Sequence, residues 1–188
     1  MIMRFLDFSL EVRLSNYFTR FGPFVTVGLP GETAPVRGAA RVILSHQEWL
    51  PRVADWITQA SVIVMYTGWT NWLSWELAKI IETGSTDKLI LIIPEVAGEA
   101  RTVRAEKISP RIERLSQILQ GTRWSNSFAN IRNVVDVRAM LLGDDGSIVL
   151  VRSRPNNRDS YHLAALIAHY IILNKGIPSS LLNETEAR

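Results

Sequence analysis

The chain has 188 residues, of which 47% are hydrophobic and 21% are charged, so it can bury one substantial core and predicts a single globular domain. Cysteine is absent, which excludes disulfides, thiol catalysis and cysteine-ligated metal and is typical of a reducing compartment. The formal net charge is only +3 and the basic residues are scattered, so specific nucleic-acid binding is not predicted.

The predicted domain covers residues 1–178, and residues 179–188 are expected to form a flexible tail. The longest apolar tract, residues 161–174, is interrupted by two histidines and is too short to cross a bilayer. The first eight residues lack the basic start and pure apolar run of a signal peptide. We therefore expect a cytoplasmic protein with no membrane span.

The first part of the chain alternates between helical and extended patterns. The predicted elements are a helix, a strand, a turn-rich loop and a second strand, at residues 7–21, 24–28, 29–38 and 41–44. Ser45 and Glu48 have the spacing of a capping box, which predicts the start of a second helix. Pro51 leaves that start uncertain or kinked.

Residues 61–81 are the most informative stretch, because a buried strand runs into a helix that carries an acid beside tryptophans. Residues 61–66 are short, apolar and rich in β-branched side chains, as expected for a strand covered on both faces. In the helix that follows, the stripe predicted to face the sheet consists of Leu73, Leu77, Ile80 and Ile81. Glu76 lies at the edge of that stripe beside Trp72, near the end of the sheet where open α/β folds bind ligands.

The second half predicts a strand, a helix, a hairpin and a last helix. The strand covers residues 88–94, and Ser109 and Pro110 are expected to start the helix. Residues 133–142 and 147–152 form the predicted hairpin, closed by the turn at 143–146. Asp159 or Ser160 caps the last helix, whose predicted inward residues are Leu163, Leu166, Ile167 and Tyr170.

Alternating strands and helices imply a mostly parallel sheet with helices on both faces. We predict a flavodoxin-like three-layer α/β sandwich with strand order 2-1-3-4-5 and a C-terminal β-hairpin. In that order the first and third strands are neighbours at the topological switch point. The loops at 28–38 and 67–72 would then face one crevice, with Glu76 at its wall.

Four segments in chain order carry a resemblance to a known family: GPFVTVGLPGE, AARVILSHQEW, ASVIVMYTGWTNWLSWELAKIIETG and DKLILIIPE. Over residues 5–95 the chain resembles bacterial TIR-like domains, distant relatives of Toll/interleukin-1 receptor domains and of nucleoside deoxyribosyltransferase-like folds. In catalytic TIR domains a glutamate in the helix after strand three is required to cleave the nicotinamide–ribose bond of NAD, and Glu76 matches it. Trp75 resembles the tryptophan often found near that glutamate. The resemblance also implies self-association into a homo-oligomer.

The resemblance implies NAD, or a related nucleotide, as substrate or ligand rather than as a resident cofactor. Glu76 would be catalytic, since one carboxylate can hold the ribose hydroxyls and face the developing cation. An indole could stack on a base, and loop amides or an arginine could meet the pyrophosphate. The candidate substrate-binding residues are Gly28, Leu29, Gly31, Glu32, Arg37, Thr67, Trp69, Trp72 and Trp75.

Several alternatives remain open from the sequence. Glu76 could be a solvated helix residue paired with Lys79 or Lys88, and residues 28–31 could simply make a tight turn. A non-catalytic nucleotide-sensing or interaction module would use the tryptophans as an assembly surface. A deoxyribosyltransferase would need a second carboxylate, for which Glu32 is the candidate. His162 and His169 lack a third ligand, so no metal site is predicted.

Overall fold

The computed structural model describes residues 2–4, 8–27, 40–42, 45–68, 71–93, 101–132, 134–155 and 157–175. Within them, seven strands form one mixed sheet with the order β3-β2-β1-β4-β5-β6-β7. The strands are β1 (Ile2–Arg4), β2 (Val25–Val27), β3 (Ala40–Val42), β4 (Ile63–Tyr66), β5 (Leu89–Ile92), β6 (Val137–Leu142) and β7 (Ile148–Arg152). The first five are mutually parallel, and β6 runs antiparallel to both β5 and β7.

The predicted flavodoxin-like fold with order 2-1-3-4-5 is wrong. Strand β1 lies between the two strands that were expected to be neighbours, because Ile2 pairs with Val25 on one side and with Ile63 on the other. The C-terminal hairpin is also part of the same sheet, which makes the sheet mixed. Three residues next to a helix start give no measurable periodicity, so the sequence pattern could not separate β1 from its surroundings.

The inserted strand moves the topological switch point of the sheet. From β1 the chain proceeds to β2 and β3 on one side, and later to β4 and β5 on the other. The strand order therefore reverses between β1 and β4. This is where the carboxyl ends of parallel strands open into a crevice.

Helices cover both faces of the sheet. One face carries α2 (His46–Gln59), α3 (Asn71–Glu82), α4 (Arg101–Ile118) and the short α5 (Ser125–Ala129), and the other carries α1 (Phe8–Phe18) and α6 (Arg158–Leu173). Side chains of β4 alternate between the two cores, as the period of a strand requires. Ile63 and Met65 pack with α2 to α4, whereas Val64 and Tyr66 pack with α1 and α6.

The capping box at the start of α2 is confirmed. The Glu48 amide donates to Ser45 Oγ over 3.3 Å, and the Ser45 amide donates to Glu48 Oε2 over 3.2 Å. The helix continues through Pro51 to Gln59. Proline so near the start costs one backbone hydrogen bond, which the two capping bonds help to offset.

The start predicted for α4 at Ser109 and Pro110 is wrong. The helix begins at Arg101, and Pro110 lies inside it. The preceding residues include Arg104 and Lys107, which are good helix formers, and the missing bond of Pro110 frees only one carbonyl. The basic segment 101–107 is therefore helical.

The inward face predicted for α6 is wrong at Leu163 and Tyr170, whereas Ile167 is half-buried and packs against the core that α1 and α6 share. Leu163 is 57% exposed and Tyr170 is 50% exposed, and the helix instead turns alanines toward the sheet. Apolar residues surround this helix, so their periodicity does not select a face. The buried small and polar residues of α6 are Ser160, Tyr161, Ala164, Ala165, Ala168 and His169.

The predicted hairpin of β6 and β7 is confirmed, and the segment before it holds its turn in place. The Trp124 indole donates to the Gly143 carbonyl over 2.7 Å, and the Ser127 hydroxyl donates to the Gly146 carbonyl over 2.6 Å. Gly146 has a φ of 85°. The turn is thus fixed to the body of the protein by side chains of the α5 region, an element that the sequence pattern did not predict.

Candidate functional site

The candidate site lies at the carboxyl end of β4, on one side of the switch point. Thr67 follows the strand directly and is wholly buried. Its amide donates to the Ile92 carbonyl over 2.9 Å, which extends the pairing of β4 with β5 by one residue. Within the described part of the chain, Thr67 Oγ1 has no hydrogen-bond partner.

Glu76 is buried in the helix that follows this strand. It is only 6% exposed, and the helix buries Leu73, Leu77 and Ile80 beside it. The lysines that could have paired with a solvated Glu76 have other partners. Lys79 Nζ lies 3.1 Å from Glu82 Oε1, and Lys88 Nζ donates to the Thr58 carbonyl over 3.0 Å. Glu76 is therefore a buried acid and not a solvated surface residue.

The tryptophans beside Glu76 pack on one another across two helices. The Trp49 ring of α2 is buried, and its centroid lies 4.7 Å from that of Trp72 and 5.5 Å from that of Trp75. Both α3 indoles are half-buried against the core that α2, α3 and α4 share. Their inner parts stabilise the α2–α3 contact, and their remaining surface is open to solvent.

Helix α4 adds a cation to this end of the sheet. Arg111 is half-buried, and its Nη1 lies 3.4 Å from the Thr67 carbonyl oxygen. Burial lowers the pKa of Arg111, and the nearby Tyr161 partly offsets that effect. Arg111 could not be identified from the sequence, because nothing distinguishes a helical arginine spaced among core residues from a solvated one.

A second arginine is wholly buried at the start of β6. Arg138 Nη1 donates to the Val135 carbonyl over 2.6 Å, and its Nη2 donates to the Pro155 carbonyl over 3.3 Å. Its guanidinium carbon lies 5.2 Å from the centroid of the Tyr161 ring. A charged residue inside the apolar run Val-Arg-Ala-Met-Leu-Leu was the signal that could have identified it.

The structure brings only some of the sequence-predicted site residues together. Thr67, Trp72, Trp75 and Glu76 lie on the β4–α3 unit. The other candidates, Gly28, Leu29, Gly31, Glu32, Arg37 and Trp69, lie outside the described residues. Because β1 separates β2 from β4, the predicted adjacency of the two strands that precede the 28–38 and 67–72 loops is wrong.

The opposite edge of the sheet holds an apolar cavity of about 560 Å³. It lies at the amino end of β4, away from the β4–α3 turn, and it contains none of the predicted site residues. His169 lines it and is buried, with Nδ1 3.2 Å from the Tyr17 hydroxyl. The main lining side chains are Phe18, Phe21, Trp56, Val62, His169 and Leu173.

Nowhere in the described part of the chain do three or more histidine, cysteine, aspartate or glutamate side chains come together as a candidate metal site. Within the same ranges, no helix combines the length and the apolar character that crossing a membrane requires.

Fold and site together define an α/β protein with a seven-stranded mixed sheet and a polar cluster at the carboxyl end of β4. Comparisons of the chain with protein-family models, with curated proteins and with solved structures found no match.

Proposed function

We propose that this chain is a TIR-like, nucleotide-binding domain that cleaves the bond between nicotinamide and ribose in NAD, acting in the cytoplasm in bacterial defence or signalling. The observation that supports this most is Glu76, a carboxylate only 6% exposed on the helix after the switch-point strand. Burying a carboxylate costs free energy, so a protein keeps one where its charge is used.

Cleavage breaks the bond between ribose C1′ and the pyridinium nitrogen. The bonding electrons leave with nicotinamide, which becomes neutral, and positive charge develops on the ribose ring. Water then attacks C1′ and loses a proton to give the hydrolysed product, or an internal nucleophile attacks to give a cyclic one. Glu76 stabilises the developing cation, and its low exposure makes that interaction stronger than it would be in water.

The tryptophans support the same assignment. Trp72 and Trp75 are held by Trp49, so a base that stacks on their open surface meets a ring that is already ordered. Ordering before binding reduces the entropy that binding costs.

The test is nicotinamide release from NAD by the wild type and by Glu76→Gln. If the carboxylate stabilises charge only in the transition state, the variant keeps its NAD affinity and loses about a hundredfold or more in turnover. The matched control is Glu82→Gln, which removes an exposed carboxylate from the same helix. Thermal melts check folding, and an active Glu76→Gln variant would remove the catalytic assignment.

A second candidate function is a non-catalytic assembly module. An exposed apolar surface on α6, and not the tryptophans, favours this candidate. Leu163, Tyr170 and Leu173 project from one side of α6 and are each at least half exposed, at 57%, 50% and 57%. Large exposed apolar residues on one side of a helix often mark contacts between copies.

Light scattering across a concentration series tests this candidate. We expect self-association by the wild type and its loss in Leu163→Glu, because a charge at the contact must be desolvated. A wild type that stays monomeric and releases no nicotinamide would contradict both candidates.

A further inference from the structure

We propose that Arg111 and Thr67 form an anion subsite that binds the diphosphate of a nucleotide ligand. This inference rests on the proposed nucleotide ligand and deepens it, but it does not require catalysis. It assigns to residues at the end of β4 the pyrophosphate contact that the sequence offered as one possibility for the loop at 28–38.

The first observation is the poor pairing of a half-buried cation. A guanidinium carries five N–H donors, and the hydrogen bond of Arg111 goes to the Thr67 carbonyl over a long 3.4 Å. Its Nε is buried and has no hydrogen-bond partner in the described part of the chain. No described carboxylate forms an ion pair with it. Desolvating a charge without such a partner is costly, and an anionic ligand would offset the cost.

The second observation is the hydroxyl beside it. Thr67 is wholly buried, and its Oγ1 has no hydrogen-bond partner among the described residues. By strand alternation its side chain follows Ile63 and Met65 onto the face that α4 covers, which is the face from which Arg111 approaches. A buried hydroxyl and a half-buried cation therefore come together at Thr67.

The third observation is the position of the pair. Thr67 follows β4 directly, and the switch point lies between β1 and β4. Open α/β sheets bind ligands in the crevice at this point. A planar guanidinium can hold two phosphate oxygens in parallel, and a hydroxyl can donate to a third. Glu76, on the helix that leaves the same strand, repels phosphate and suits the ribose instead.

The experiment compares ADP, adenosine and inorganic pyrophosphate by isothermal titration with the wild type and with Arg111→Gln. We expect Arg111→Gln to weaken ADP binding by about tenfold or more, the range for a charge-assisted hydrogen bond, and to leave adenosine unchanged. Arg20→Gln, which removes an exposed arginine at the opposite edge of the sheet, should change neither.

An unchanged ratio of ADP to adenosine affinity in Arg111→Gln would overturn the subsite, as would a wild type that binds neither ADP nor pyrophosphate. If Arg111→Gln does not fold, Thr67→Val decides by the same ratio, since it removes the hydroxyl and keeps the shape. If the wild type binds pyrophosphate but the adenosine part of ADP adds no affinity, the anion subsite is supported and the nucleotide ligand is excluded. Loss of NAD cleavage in Glu76→Gln with ADP binding intact would separate catalysis from anion binding.

Discussion

At the scale of single residues, the most unusual feature of the structure is the set of polar side chains buried in its core. Glu76, Thr67 and Arg138 are each at most 6% exposed. Each must be held by other groups or be used, because burying an unsatisfied polar group costs roughly 1–3 kcal/mol in proteins. Arg138 is held by backbone carbonyls and by the Tyr161 ring.

His169 gives a prediction about pH. Burial lowers the pKa of His169, so between the ordinary value of about 6.5 and its folded value the unfolded chain binds a proton that the folded chain does not. Stability from this group is therefore complete above about pH 6.5 and decreases as the pH falls through the folded pKa. Urea unfolding at several pH values between about 5 and 7.5 measures the slope.

We expect His169→Gln, which keeps a partner for the Tyr17 hydroxyl, to have a shallower slope than the wild type. His162 contributes with the same sign. Burial is the largest cause that lowers the pKa of His162, and the charge of Arg13 lowers that pKa further. Equal slopes in His169→Gln and in the wild type would contradict the assignment.

The sequence could identify some of these residues but not their environment. Glu76 was predicted as a site candidate, because one acid follows a buried strand among tryptophans. Its burial, and the contact of Arg111 with Thr67, depend on how α3 and α4 pack against the sheet. Contacts between residues 44 positions apart are set by tertiary structure and leave no local pattern.

At the scale of elements, strong local signals were reliable. The buried stripe of α3, Leu73, Leu77 and Ile80, was predicted correctly, whereas the inward face of α6 was not. The capping box of α2 and the β6–β7 hairpin were predicted because each depends on neighbouring residues. The inward face of α6 was wrong at Leu163 and Tyr170 because apolar side chains surround the helix. The start of α4 was wrong because Pro110 resembles a first helical residue, although here it lies inside the helix.

The hairpin turn gives a prediction with a matched control. A Cβ at Gly146 would lie 2.6 Å from the Arg123 carbonyl oxygen, whereas at Gly84 it would meet no atom within 4 Å. Both glycines have positive φ, 85° and 65°, so an alanine is strained at either position. Gly84→Ala should cost about 1–2 kcal/mol of unfolding free energy, from backbone strain alone.

Gly146→Ala should cost clearly more than Gly84→Ala, because the new methyl group also forces the turn away from the Arg123 carbonyl. Urea unfolding of both variants measures the difference in unfolding free energy, provided that the slope of that free energy against urea concentration is the same in both. Equal losses would mean that the turn moves freely relative to the segment that carries Trp124.

At the scale of the whole molecule, the arrangement of the sheet depends on a central strand of only three residues. Strand β1 pairs with β2 and with β4, and it brings the switch point to Thr67. The sequence predicted the alternation of strands and helices but not this order, since three residues carry no pattern that would reveal a strand. The error moved the expected crevice by one strand.

Met3→Pro tests the importance of β1. Proline in a strand that is paired on both sides removes a backbone donor and is not tolerated within a sheet, so we expect a loss of about 3 kcal/mol or more, or failure to fold. Met3→Ile, which suits a strand, is the control. Circular dichroism and thermal melts compare the variants, and a normally folded Met3→Pro protein would show that β1 is dispensable.

The central position of β1 also constrains the order in which the chain can fold during synthesis. Ile2 leaves the ribosome before both of its partners, and the second of them, Ile63, emerges only after α1, β2, β3 and α2 have been made. Until then one edge of β1 stays open to incorrect pairing with other chains. The strand that fixes the position of the crevice therefore keeps one unpaired edge until β4 has been synthesised.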